Sequence, residues 1–114
     1  MKKEEIAYNR GYYVNEEGIL YNPKGKEIGN KVYQPYRFTN IRIDGKKHRI
    51  TIHRLQAYQK YKNDLYKKDM EVRHINGDSN DNSINNIELG THSENMLDIP
   101  KNDFERQLLS YNSK

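Results

Sequence analysis

Residues 73–86 read RHINGDSNDNSINN, with five asparagines, two aspartates, one histidine and only two isoleucines that a core could use. Met70–Ile75 leads into the stretch and Ile87–Leu89 follows it, each short enough and apolar enough to read as a strand. Asn76-Gly77 reads as a turn at positive φ, where glycine costs nothing. Asparagine and aspartate side chains bond to nearby backbone, so a loop built from them holds a shape without a core of its own. After the second strand Gly90-Thr91 interrupts the chain. Thr91 or Ser93 can cap a helix with Glu94 in its first turn and Asn95 one to two turns from the cap. The segment therefore predicts strand, loop, strand, helix.

Upstream the pattern is different. Tyr12–Val14, Ile19–Tyr21 and Lys26–Ile28 are short runs separated by Asn15-Glu-Glu-Gly18 and Asn22-Pro-Lys-Gly25, a small β-meander. Tyr36–Ile43 and Lys46–Ile52 enclose Asp44-Gly45, the strongest hairpin signal in the chain, with Phe38, Ile41, Ile43, Ile50 and Ile52 available to a core. From His53 the apolar spacing lengthens to Leu55, Tyr58 and Tyr61, which predicts a helix ending near Asn63 whose stripe packs inward. Pro100 stops the helix after Thr91, and Asn102 or Asp103 can cap a last one carrying Phe104, Leu108 and Leu109. The expected fold class is α+β.

A chain of 114 residues, 33% hydrophobic, is expected to form one small domain with an economical core. Its parts are a β-rich region over 1–52, a helix and linker over 53–68, a strand-loop-strand-helix unit over 69–97 and a helical tail over 98–114. Without cysteine there are no disulfides and no Cys-based zinc site, so a structural zinc is not expected and any metal must be a hard cation on His, Asp, Glu, Asn or backbone oxygen. No apolar run approaches a membrane span and MKKEEIAYNR lacks an apolar signal core, which predicts a cytoplasmic protein without membrane contact. The net charge of +4 divides into +9 over residues 1–68 and −5 over 69–114. Such an asymmetry fits one surface that tracks a polyanion and another that manages cations, or simply two solvated faces.

Polar spacing carries the chemistry. Asn86 lies 12 residues after His74, and Asn95 lies 9 after Asn86. In the frames VRHING at 72–77 and NNIELGTHSEN at 85–95, this constellation resembles the HNH endonucleases, in particular the phage and intron-associated homing branch. YYVNEEGILYNPKG at 12–25 and IDGKKHRITIHRLQAY at 43–58 are similar to the opening of that branch and to its strand followed by a His-Arg-Leu helix start. The resemblance runs over roughly residues 12–96.

The resemblance implies a ββα-metal unit that holds one divalent cation, Mg²⁺ first and Mn²⁺ as the alternative, against a scissile phosphate in double-stranded DNA. His74 would be the general base, a role that suits an imidazole with an ordinary pKa of about 6.5. Asn86 would hold the loop and orient His74 through its backbone or ring, and Asn95 would offer its amide oxygen to the metal. Arg73 departs from the family pattern, in which the residue before the base is a second ligand; a guanidinium has no lone pair to give. Either His53, Asp78 or a water completes the coordination, or Arg73 clamps the phosphate itself, or the site is inactive and the chain is a DNA-binding or inhibitory scaffold. His53 could equally be a helix-start residue with a structural hydrogen bond, while His48 and His92 read as surface residues. Lys24, Lys26, Arg37, Arg42, Lys46, Lys47, Arg49 and Arg54, interleaved with Tyr33, Tyr36 and Phe38, fit phosphate contact by a sheet laid along DNA. A phage-encoded protein in a bacterial host, as a homodimer or with a phage partner protein, is consistent with the branch. Eighteen residues follow Met96, little for an appended DNA-reading module, which favours modest sequence specificity or a partner.

Overall fold

The structure is a computed structural model that describes residues 1–29, 31–33 and 35–91. The expected helix after Thr91, Asn95 within it, His92 and the tail from Pro100 lie outside these residues.

The chain opens with a helix, α1 (Lys3–Asn9), which precedes a three-stranded antiparallel sheet of β1 (Tyr13–Val14), β2 (Leu20–Tyr21) and β3 (Glu27–Ile28). The two turns of this meander are stitched alike. Asn15 Oδ1 accepts from the N–H groups of Glu17 and Ile19, and Asn22 Oδ1 accepts from those of Lys24 and Lys26, all at 2.9–3.0 Å. A second sheet has the order β4 (Lys31–Tyr33), β5 (Tyr36–Ile43), β6 (Lys46–Thr51). Asp44 and Gly45 join β5 to β6 with φ of 53° and 80°, the two positive values that a tight two-residue hairpin requires. The chain then enters α2 (Ile52–Tyr61), a 3₁₀ turn (Lys62–Tyr66), and the antiparallel pair β7 (Met70–His74) and β8 (Ile87–Thr91).

Helix α2 is the pillar between two cores. Its first turns supply Ile52 and Leu55 to a cluster with Ala7, Val14, Leu20, Ile41 and Ile50, and its next turn supplies Ala57 and Tyr58 to a cluster with Leu65 and Ile87. The meander, the hairpin and the β7–β8 pair therefore share one support, and burying these aliphatic side chains is the main favourable term fixing their arrangement.

Two local expectations are corrected. Ile52 is the first residue of α2 and not the last of the preceding strand; it turns inward with 3% exposure. The α-helix stops at Tyr61, because Lys62 takes φ 55° and the chain tightens into the 3₁₀ turn. Helix α1 and strand β4 carry no strong signal in their own sequence. What holds α1 is distant: the buried carboxylate of Glu4 pairs with Arg54 Nε at 3.1 Å and accepts the Tyr66 hydroxyl at 2.7 Å, partners 50 and 62 residues away. Among the described residues no helix is long and apolar enough to cross a membrane.

Candidate active site

His74 is the last residue of β7 and stands opposite Ile87, the first of β8. Between them residues 75–86 form the polar loop. Asn86, 7% exposed, closes it with three side-chain bonds: its Oδ1 accepts from Asn76 N–H at 2.9 Å, and its Nδ2 donates to Asn76 Oδ1 at 3.0 Å and to the Asp81 carbonyl at 2.8 Å. Its backbone carbonyl also accepts from Ile75 N–H at 2.9 Å. Asn86 thus reaches His74 through the backbone that follows it, and no contact with the imidazole ring is among its bonds. Asp81 accepts from the Ser83 hydroxyl at 2.7 Å and from Asn76 Nδ2 at 2.9 Å. Those hydrogen bonds, Ser83's first, hold its carboxyl below the ordinary range.

The ring of His74 is gripped elsewhere. Its Nε2 lies 2.9 Å from Asn82 Oδ1, and Asn82 is 3% exposed. On another side stands His53, ring centroids 5.4 Å apart, and His53 stacks on Tyr36 at 4.2 Å. Burial, the neighbouring His74 and the Arg54 cation, in that order, push the His53 pKa down to about 3. His53 is therefore a neutral imidazole near neutral pH, with a ring-nitrogen lone pair that is not taken up by a proton.

Arg73 points its guanidinium at the opposite strand, where Nε lies 3.3 Å from Glu88 Oε1 and the two residues are in register. Asp78 accepts from Asn80 N–H within its own turn. Among the described residues no group of three or more His, Asp or Glu side chains gathers that could hold a metal.

The basic residues divide by the pleat of the second sheet. Arg42, Lys47 and Arg49 alternate onto the face that also carries Phe38 and Tyr36, with Arg42 directly opposite Lys47 and Arg49 stacked over Phe38 at 5.1 Å. Arg37 and Lys46 alternate to the other face. Lys24 and Lys26 belong to the meander's second turn, and Arg54 is held by Glu4. The structure gives roles that local sequence does not show to four residues: Asn82, Gln56 and Gly18, which fix the loop, and Tyr36, the platform under His53. Asn82 is one asparagine in a run of five and nothing local distinguishes it. Tyr36 was visible only as an aromatic among basic residues.

Residues 51–97 match a protein-family model described as HNH endonuclease. A solved structure reporting DNA binding and cleavage by the HNH homing endonuclease I-HmuI is similar to this chain with a TM-score of 0.58 and 22% identity, covering 83% of this chain and 52% of that one. The chain therefore spans about half the length of the structure it matches. No match was found among curated proteins. With its strand-loop-strand geometry, the segment 51–97 is similar to the HNH endonuclease family, and over 83% of its length the chain shares the fold of that homing endonuclease structure.

Proposed function

We propose that the protein is a divalent-metal-dependent endonuclease that hydrolyses phosphodiester bonds in double-stranded DNA. The observation that carries this reading is His74, set at the mouth of a loop closed by Asn86 and locked by Asn82, its ring 6.2 Å from that of Tyr36, which ends the face of the neighbouring sheet that presents Arg42, Lys47 and Arg49. Like charges directly opposite on a sheet destabilise it, so the Arg42–Lys47 pair is a cost that contact with phosphates would offset. From that pair the face runs through Phe38 to Tyr36, which stacks on His53 beside His74.

His74 accepts a proton from water as the water oxygen bonds to phosphorus; the bond from phosphorus to the 3′-oxygen breaks, leaving 5′-phosphate and 3′-hydroxyl ends once that oxygen is protonated. The donors present fit a hard cation only in part. Neutral His53 is one donor, Asn95 would be another, and water and phosphate would complete the shell, as suits Mg²⁺, with Mn²⁺ the alternative. When bound, such a cation neutralises charge developing on the phosphate and the departing oxygen. Arg73, engaged by Glu88, does not serve as a ligand.

A second reading is favoured by that same Arg73: a scaffold that binds DNA without cutting it. The two readings separate on supercoiled plasmid. The endonuclease relaxes it with Mg²⁺ or Mn²⁺ and stops with a chelator; the scaffold retains it, releases it steeply with salt, and leaves it supercoiled under every metal. A phage origin, a homodimer or a phage partner protein, and a single domain in a cytoplasm complete the proposal.

A further inference from the structure

We propose that Asn82 is a positioning residue that holds the His74 ring in one tautomer, with the proton on Nε2 and the lone pair on Nδ1. This rests on the reading of His74 as the base, because Nδ1 then becomes the atom that takes the proton from water. A carboxamide oxygen carries lone pairs only, so at 2.9 Å from Asn82 Oδ1 the His74 Nε2 is the donor. The two neutral tautomers of an imidazole differ little in energy, and which nitrogen is protonated follows the bond the other partner makes. One part-buried hydrogen bond to a fixed acceptor suffices to bias the choice.

The bias works only if Asn82 cannot swing away, and the meander ensures that. Gln56, fully buried on α2, donates from Nε2 to the Asn82 carbonyl at 3.0 Å and to the Asn15 carbonyl at 2.9 Å, tying the loop to the first meander turn. Gly18 of that turn, at φ +91°, packs so closely that a Cβ there would lie 2.5 Å from the Asn82 carbonyl carbon. Two residues on, Ile84 N–H donates to the Glu16 carbonyl at 2.9 Å. The turn Asn15–Gly18, remote from His74 in sequence, is thus the anvil against which its partner is held. Asn86 does something different: it shapes the loop backbone and leaves the ring to Asn82.

The experiment is ¹⁵N imidazole NMR on the full chain, without DNA or metal, at a pH where His74 is neutral, its resonances identified by their loss in His74→Gln. Wild type should show the proton on Nε2. Asn82→Leu, near in volume but without an acceptor, should give a mixture of tautomers, and Asn82→Asp, which keeps an acceptor, should restore Nε2–H. If Asn82→Leu does not fold, Asn82→Ala replaces it with the same expectation. In the plasmid assay the Leu variant should lose about 10- to 100-fold in turnover at saturating DNA with little change in KM, and the Asp variant should recover most of it. Protonation of wild-type His74 on Nδ1, or a tautomer unmoved by removing the acceptor, overturns the inference. A wild-type protein inert on plasmid but holding Nε2–H would instead remove the base reading and leave the positioning intact.

Discussion

Strands β5 and β6 are joined by two residues, β7 and β8 by twelve. The short connection rests chiefly on backbone: Asp44 and Gly45 adopt positive φ, the register from Ile43–Lys46 to Phe38–Thr51 follows, one side chain, Arg42, donates to the Gly45 carbonyl at 2.9 Å, and a Cβ on Gly45 would meet nothing within 4 Å. The long one is closed by side chains, with Asn76, Asp78, Asp81 and Asn86 each bonding backbone of its own loop and Gln56 and Gly18 pressing in from outside. A backbone turn fixes strands cheaply but offers no groups to a ligand. A side-chain-stitched loop is dear in conformational entropy, yet it aims an imidazole and leaves polar atoms around it.

His53, where the hairpin side meets the loop side, gives the largest effect by which to break that contrast. Its folded pKa of about 3 lies below the ordinary 6.5, so between those values the unfolded chain binds the proton and the folded chain resists it. Stability should therefore fall as pH drops from about 6.5 toward 3, by on the order of 3–5 kcal/mol from this group. Urea melts across that window should show a shallower loss for His53→Gln; parallel curves would mean that His53 is not the group.

Asn86→Ala comes next. It removes three side-chain bonds of a buried residue and should cost about 2–4 kcal/mol, with plasmid nicking lost even where the remaining protein is folded. Gly45→Ala should cost only about 1 kcal/mol, from positive φ alone, and leave the nicking rate unchanged. Chemical denaturation with parallel nicking assays measures both, and equal losses of activity in the two variants would erase the distinction between the connections.

The same distinction decides what could be read from the sequence. The hairpin, the meander turns, the Leu55–Tyr58 stripe and the order strand, loop, strand all rest on local rules, so Asp44-Gly45, Asn15 to Gly18 and Met70 to Leu89 were legible. His74 and Asn86 stand at the two ends of the polar stretch in the sequence, and in the structure Asn86 bonds to Asn76 and Asp81 across it. Contacts over long separations were not legible: Glu4 with Arg54 and Tyr66 holds α1, and Gln56 with Asn82 holds the histidine's partner. Arg73 was recognisable as unable to bind a metal, but its pairing with Glu88 depends on strand register, which a twelve-residue loop does not specify.

The most direct test of the account is the rate at which supercoiled plasmid is nicked in Mg²⁺ or Mn²⁺ by wild type and by His74→Ala, side by side, with folding checked by circular dichroism. The account predicts nicking by the wild type and a loss of at least about 100-fold in a variant that is still folded. A folded His74→Ala protein that nicks as fast as wild type would contradict it.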